Sequence, residues 1–279
     1  MVTRDIFRQM TDIISQNPQS DARFEADQLI QFVTGKKRIE IMSDDVDNAA
    51  AQKLLEYAQM RKDGYPLQYI IGRWQFFDME LFVGEGVLVP RQDTETVCEG
   101  AFRALEKMHS PQVLDLCSGS GCIALAIKRF FPASQVTAVE KSAEAFAYLE
   151  KNIAHTGFGV KAVQGDVFGF EQTLPHNSLD LVISNPPYID FAVADTLQTE
   201  VKHEPQMALF ADNNGLLFYS YITQNYKKLL RTGGFVVFEY GFDQQQQVRE
   251  ILRSEGFSIV EEIIDYGGNP RGVVAQKTE

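Results

Sequence analysis

Residues 111–131 read PQVLDLCSGSGCIALAIKRFF, and the order of textures in that stretch decides the fold. An apolar, β-branched run over Gln112–Leu116 gives way to a glycine-containing turn, and a helical pattern opens near Cys122. A short apolar run bounded by turn residues reads as a buried strand, and a strand that feeds a helix through a tight turn opens a βαβ unit. Similar runs at Gln135–Val139, Gly159–Val163, Leu179–Ile183 and Gly234–Glu239 are separated mostly by helical patterns such as Ile123–Phe131 and Ala143–His155. This alternation predicts an α/β, Rossmann-like sheet, mostly parallel, with helices on both faces and ligands beyond the carboxyl ends of the strands. A helix over Gln244–Glu255 precedes two strands, Ser258–Ile264 and Gly272–Gln276, which flank Tyr266-Gly267-Gly268-Asn269-Pro270 and are expected to form an antiparallel C-terminal edge.

Upstream the texture is different. Residues 1–72 read as a small helical domain, with one apolar stripe of Ile6, Phe7, Met10, Ile13 and Ile14 and a second of Phe24, Leu29, Ile30 and Val33 ending at Gly35. Ser43-Asp44 is placed to cap a third helix that presents Ala51, Leu54, Leu55 and Ala58. Residues 73–89 turn to aromatic and β-branched residues around Gly84-Glu85-Gly86, which predicts a hairpin linker. Residues 90–279 form the third segment, opening with a helix from Thr94 to Met108 that Asp93 is expected to cap.

Composition narrows the function. At 279 residues and 44% hydrophobic content the chain can bury a sizeable core. Its three cysteines, Cys98, Cys117 and Cys122, include no CxxC pair, and no histidines stand at metal spacing, so no metal is expected and the usage is that of a reduced compartment. No signal-peptide core or membrane-length apolar run occurs, so a cytoplasmic protein without a membrane partner is expected. The net charge of −12 repels nucleic acid and makes a protein the better substrate class.

The candidate chemistry collects at the strand ends. Gly119 and Gly121 allow a tight turn and close approach to a ligand, and the helix N-terminus behind them offers donors. Asp115 stands where it can accept from a cationic amino group, Glu140 where it can take both hydroxyls of a ribose, and Asp166 where it can accept from an adenine amino group. The fourth strand runs into Ser184-Asn185-Pro186-Pro187-Tyr188-Ile189. An amide nitrogen is a poor nucleophile, and alkylating it needs two acceptors that hold its N–H bonds. The Asn185 side-chain oxygen and the Pro186 carbonyl can serve, since consecutive prolines stiffen the loop, and Tyr188 offers a flat face to a planar group.

The glycine loop followed by an acid also fits a dinucleotide fingerprint, so a nicotinamide dehydrogenase is a rival reading. Asp115 at the strand end and the lack of a placed hydride-transfer acid oppose it, and no Gly-Lys-Ser/Thr of a Walker loop follows the glycines. The histidines, His109, His155, His176 and His203, share no spacing and are expected at the surface.

DLCSGSG, Glu140, Gly165-Asp166 and SNPPYI, in that order, resemble the class I S-adenosylmethionine-dependent methyltransferases. With the helical N-terminal segment, PLQYIIGRWQFF at 66–77, VLVPRQDTE at 87–95 and DYGGNPR at 265–271, essentially the whole chain resembles the release-factor glutamine methyltransferases, the PrmC/HemK family. The resemblance implies methylation, by S-adenosyl-L-methionine, of the side-chain amide (N5) of the glutamine in the Gly-Gly-Gln motif of class 1 peptide chain release factors, by a monomer whose helical domain recognises the substrate. It places Cys117, Ser118, Gly119, Ser120, Gly121, Glu140 and Asn185 against the cofactor and Asn185, Pro186, Pro187 and Tyr188 at the substrate clamp. A ribosomal-protein glutamine methyltransferase and a nucleic-acid amino-methyltransferase are the alternatives. Departures occur: Cys117 replaces a glycine and is expected to keep φ below zero, Val167 stands where relatives place an aromatic beside adenine, with Phe168 as substitute, and Gln92 follows Arg91 where a proline is usual.

Overall fold

In the computed structural model, which describes residues 2–278, the chain up to Arg73 folds with Leu197–His203 as one unit. Trp74–Thr196 and the chain from Glu204 onward form the other. The first unit holds α1 (Thr3–Ile14), α2 (Ala22–Thr34), α3 (Asn48–Lys62) and the short α4 (Leu67–Ile71). Helical spacing sets Ile6, Met10 and Ile14 on one face of α1, and they are buried, as are Leu29 and Ile30 of α2 and Leu54 and Ala58 of α3. Phe24, read as part of the second stripe, is instead 46% exposed. Gly35 closes α2 in the left-handed conformation at φ 71°, where a side chain would be strained. The cap of α3 is Asp47, whose carboxylate accepts from the Ala50 N–H at 2.8 Å. The Ser43-Asp44 pair lies too early, and the Asp44 carbonyl accepts from Thr3.

A buried cation organises this unit. Arg61, 1% exposed, donates to both oxygens of Glu25 at 2.8 and 3.0 Å and to Glu200 of the added segment at 3.1 Å. Its planar fork also reaches the Tyr65 carbonyl, so the desolvated charge is matched on several sides. Beside it Gly64, at φ +85°, admits the added segment: a Cβ there would stand 2.6 Å from Thr199 Cγ2.

The second unit begins with a hairpin of β1 (Arg73–Phe76) and β2 (Met79–Phe82). Its turn lies at Phe77-Asp78 and not at Gly84–Gly86. Tertiary contacts override the glycine signal, because Phe77, at φ 51°, donates its N–H to Glu95 at 2.6 Å and packs its ring on Phe102 and Phe130. Helix α5 (Gln92–Leu105) starts earlier than expected, with Arg91 at the cap position. Asp93 therefore sits in the first turn, where it pairs with Arg271 at 3.2 Å.

The remaining elements alternate as expected: β3 (Gln112–Leu116), α6 (Cys122–Phe130), β4 (Gln135–Glu140), α7 (Ala143–Thr156), β5 (Val160–Gln164), α8 (Val167–Phe170) and β6 (Leu179–Ser184). After α9 (Gln206–Leu209) and α10 (Leu217–Tyr226) come β7 (Leu230–Glu239), α11 (Gln245–Ser254), β8 (Phe257–Ile264) and β9 (Pro270–Lys277). The seven-stranded sheet has the order β5-β4-β3-β6-β7-β9-β8, with every strand running the same way except β9, which is antiparallel to both its neighbours, β7 and β8. Alternate side chains of each strand enter opposite cores: Val113, Leu181, Ile183 and Val237 join one with α5, α6 and α7. Leu114, Val182, Val236 and Phe238 join the other with α10 and α11. The strand order reverses at β3, where β4 lies on one side and β6 on the other, so the crevice expected at such a switch opens beside the carboxyl end of β3. Among the described residues no helix is long and apolar enough to cross a membrane.

Replacing Arg61 by methionine, which keeps most of its volume, leaves Glu25 and Glu200 without their cation. Breaking a buried pair in this way costs about 3–5 kcal/mol. Urea unfolding of the full chain is expected to show a loss of that size, and a change below about 1 kcal/mol would contradict the role given to the cluster.

Candidate active site

The register of β3 against β6 aligns Asp115 with Ile183 and Leu116 with Ser184, so the loops that follow both strands leave the sheet side by side. Between them and the loop after β4 lies an open cleft. Cys117, Ser118, Gly119, Ser120, Glu140, Asp166, Val167, Asn185 and Pro187 all line it. The predicted strand ends thus converge on one cavity.

Asp115 does not line the cleft. It is fully buried beneath the glycine loop, where Oδ2 accepts from the Ala124 N–H at 3.2 Å, so it ties the start of α6 to the end of β3. Its Oδ1 finds no hydrogen-bond partner among the described residues. Burial drives its carboxyl up to about 8, against the opposing hydrogen bond of the Ala124 N–H. Gly121 likewise stays behind the surface, and a Cβ there would stand 2.5 Å from Leu149 Cδ1, so this glycine serves packing. Gly119 is the one that opens the loop: a Cβ there would meet nothing nearer than Val87 Cγ2 at 4.0 Å, so an approaching ligand meets bare backbone. Cys117 departs from expectation, with φ at +58°, a left-handed conformation in a residue that carries a side chain. Its thiol is half-buried on the cleft wall, and burial together with Glu140 pushes it far up, which disfavours the thiolate.

Glu140 closes β4 with both oxygens engaged, accepting from Gly119 N at 2.8 Å and Ser142 N at 2.7 Å. Each oxygen keeps a further lone pair for a diol. Asp166 accepts from the Phe168 N–H at 3.0 Å and pairs with Lys141 at 2.8 Å. Phe168, beside Val167, lines the cleft and packs on Phe218 and Tyr221, so an aromatic wall exists although Val167 supplies none.

Asn185 follows β6 and lines the cleft, with its Nδ2 3.5 Å from Thr94 Oγ1. Pro186 is buried in the loop wall behind it. Tyr188, expected to face a planar group, packs instead against the core on the α10 side, and its carbonyl accepts from Gln244 at 2.9 Å. It anchors the loop, and Gly215 leaves the room: a Cβ there would lie 2.0 Å from the Tyr188 oxygen. All four histidines are exposed.

Of the further neighbours, sequence reasoning had pointed only to Arg91, without assigning it a role. Arg91 lines the cleft and donates through Nη2 to both oxygens of Glu204 at 2.8 and 2.9 Å. Pro205, Met207 and Ala208 line it as well. Thr94, although only 2% exposed, lines the cleft beside Asn185, and Glu239, buried, follows Phe238, the β7 partner of Ser184. Glu239 had a signal, since an acid closing a buried strand is the pattern that singled out Glu140. Glu204 had none, because it lies in a loop without periodicity.

Comparison with known proteins bears on this arrangement. The "PrmC N-terminal domain" family matches residues 5–72 and the "Methyltransferase small domain" family residues 100–238. The chain is 36% identical over 265 residues to the release factor glutamine methyltransferase of Salmonella typhimurium, covering 93% of this chain and 94% of that one. It is 32% identical to that of Fusobacterium nucleatum, covering 98% of this chain and 78% of the other. The crystal structure of a methyltransferase from Pyrococcus furiosus shares the fold, with a TM-score of 0.54 at 18% identity over 73% of this chain and 91% of that one.

The Asp115 carboxyl makes stability fall with pH. Its folded pKa lies above the unfolded value, so its contribution is full below 3.8 and is lost progressively up to about 8. Asp115→Asn is expected to flatten the wild-type decline of unfolding free energy across that window, and parallel curves for the two proteins would show that Asp115 ionises normally.

Proposed function

The chain belongs to the release factor glutamine methyltransferase family, and from that premise we propose that it methylates N5 of the glutamine in the Gly-Gly-Gln motif of class 1 release factors. The enzyme is an S-adenosylmethionine-dependent methyltransferase. The observation that carries the substrate reading is the placement of Asn185 on the wall of the same cleft that Gly119 and Glu140 line.

The residues fit the cofactor. Gly119 leaves bare backbone on the cleft, Glu140 retains lone pairs for ribose hydroxyls, and Phe168 offers an aromatic wall for adenine. When bound, S-adenosylmethionine supplies an electrophilic methyl group on a sulfonium that departs as a neutral thioether. The protein supplies alignment. Asn185 Oδ1 and the Pro186 carbonyl accept the two N–H bonds of the glutamine amide, hold the nitrogen in place and favour the positive charge that develops on it. A strong general base is unnecessary, because the amide proton becomes acidic only as the new bond forms. Glycines on both sides of the target let a loop enter the cleft without side-chain obstruction. Recognition beyond that loop is assigned to the helical unit. Free cysteines support a reduced, cytoplasmic setting, in which the chain works as a monomer on a protein, without direct nucleic-acid or membrane contact.

Calorimetry is expected to show S-adenosylhomocysteine binding that weakens in Glu140→Ala by about 1.5–3 kcal/mol, the value of hydrogen bonds to a charged group. Tight binding of NAD in its place would overturn the cofactor assignment.

Asn185→Ala is expected to lower kcat by about 10²–10³-fold, the effect of losing one charge-stabilising group, with little change in unfolding free energy. The assay offers radiolabelled cofactor with intact release factor, a short Gly-Gly-Gln peptide, ribosomal proteins and DNA. Label on the glutamine of the intact factor, with little on the peptide, supports the reading, and label on ribosomal proteins or DNA refutes it.

A further inference from the structure

Two stretches far apart in sequence line the cleft: the glycine loop, with Ser118, Gly119 and Ser120, and the strap that leaves the β1–β2 hairpin, with Gly86, Val89 and Pro90. Neither is part of a strand or a helix. The element that lies against both is α7. A Cβ at Gly86 of the strap would stand 2.8 Å from Glu144 Cβ, and Ala145 packs with Val83 and Val87. One turn further on, Leu149 fills the space that Gly121 of the loop leaves open.

One side chain of this helix bonds both stretches. Asn152, fully buried on the same face as Leu149, accepts through Oδ1 from the Phe82 N–H at 2.7 Å. Its Nδ2 donates to the Phe82 carbonyl at 3.0 Å and to the Ser120 carbonyl at 2.9 Å. Phe82 is the last residue of β2, where the strap begins. The partners fix the orientation of the amide, because exchanging its oxygen and nitrogen would set N–H against N–H and oxygen against two carbonyls. Each of the two amide protons therefore has its own carbonyl, one in the hairpin and one in the glycine loop.

We propose that Asn152 is a positioning residue for the cofactor: by holding the end of the hairpin and the glycine loop with one amide it sets the gap between strap and loop, and a ligand seated in that gap tightens the hairpin in return. The inference rests on the reading of this cleft as the S-adenosylmethionine site. Ser120 lines the cleft while its carbonyl is held by Asn152, so a ligand against the loop favours the loop position that Asn152 also favours. Coupling of this kind is reciprocal. Whatever factor the amide adds to ligand affinity, the bound ligand adds to the stability of the Asn152 bonds. Asn152 is not part of the cleft lining and touches no reacting atom, so its loss acts on cofactor binding and leaves methyl transfer intact once cofactor is saturating.

The test uses the full chain, with S-adenosylhomocysteine as the probe in calorimetry and hydrogen exchange and with intact release factor in turnover. Asn152→Ala is expected to bind S-adenosylhomocysteine about tenfold more weakly than the wild type, the weight of one hydrogen bond. The KM for S-adenosylmethionine rises by the same factor, while kcat and the KM for release factor stay within about twofold. Asn152→Asp keeps the acceptor for Phe82 and loses both donors, and the same loss is expected of it. Leu252→Ala, which empties a fully buried position in the other core, controls for stability alone and is expected to keep wild-type affinity. In the wild type, saturating S-adenosylhomocysteine is expected to slow exchange of the Phe82 amide about tenfold more than that of amides in α11, and in Asn152→Ala this difference vanishes. Wild-type affinity in either Asn152 variant, an equal loss in Leu252→Ala, or a fall in kcat alone overturns the positioning role and leaves the cofactor reading in place. A wild-type protein that does not bind S-adenosylhomocysteine removes the reading and the inference together. Should the Asn152 variants fail to fold, a wild-type Phe82 amide that slows no more than those of α11 on binding is enough to overturn the proposal.

Discussion

The Ser184 hydroxyl donates to the Leu116 carbonyl at 2.7 Å, across the junction where β6 lies beside β3. That contact sets the registration of the site. It fixes the last residue of one strand against the last of the other, so the glycine loop after Leu116 and Asn185 after Ser184 start from the same height. A slip of one residue would turn every side chain of β6 to the opposite face and send Asn185 toward a core. The apolar alternation of β6 opposes such a slip, since Leu181 and Ile183 belong to one core and Val182 to the other. Hydrophobic packing and one buried hydroxyl therefore determine together where the candidate acceptor stands.

Most of the scaffold was legible because each strand carried its own signal. Short apolar runs bounded by turn residues gave the strands of the parallel sheet, and an apolar stripe ending at Gly35 marked α2, whose cap at Asp21 was not read. The failures share a cause: local signals lost to tertiary contacts. The Gly84–Gly86 cluster looked like the hairpin turn, yet aromatic packing and Glu95 placed it at Phe77-Asp78. Asp93 looked like a cap, yet Arg271, far along the chain, holds it within the first turn.

The site divides along the same line. Residues at strand ends were readable, because a parallel sheet brings such ends together whatever the sequence between them. Asp115, Gly121 and Tyr188 belong to the segments around the cleft but pack away from it, since spacing locates a residue without telling which side of a loop it supports. Cys117 shows the limit most clearly. The left-handed backbone comes from the loop as a whole, and nothing in the identity of the residue announces it.

The chain passes between its two units at Arg73–Trp74, at Thr196–Leu197 and at His203–Glu204. The last two joints enclose a segment whose Glu200 belongs to the Arg61 cluster, while Glu204, just beyond it, binds Arg91 on the cleft wall. The helical unit is thus not a detachable prefix. Deleting it would strand Leu197–His203 between Asn185 and Pro205, and activity lost in such a protein would report a loosened cleft wall as readily as a missing docking surface. Exchange of this unit among relatives would succeed only as a two-piece graft, in which the helices and the segment that completes them come from the same parent.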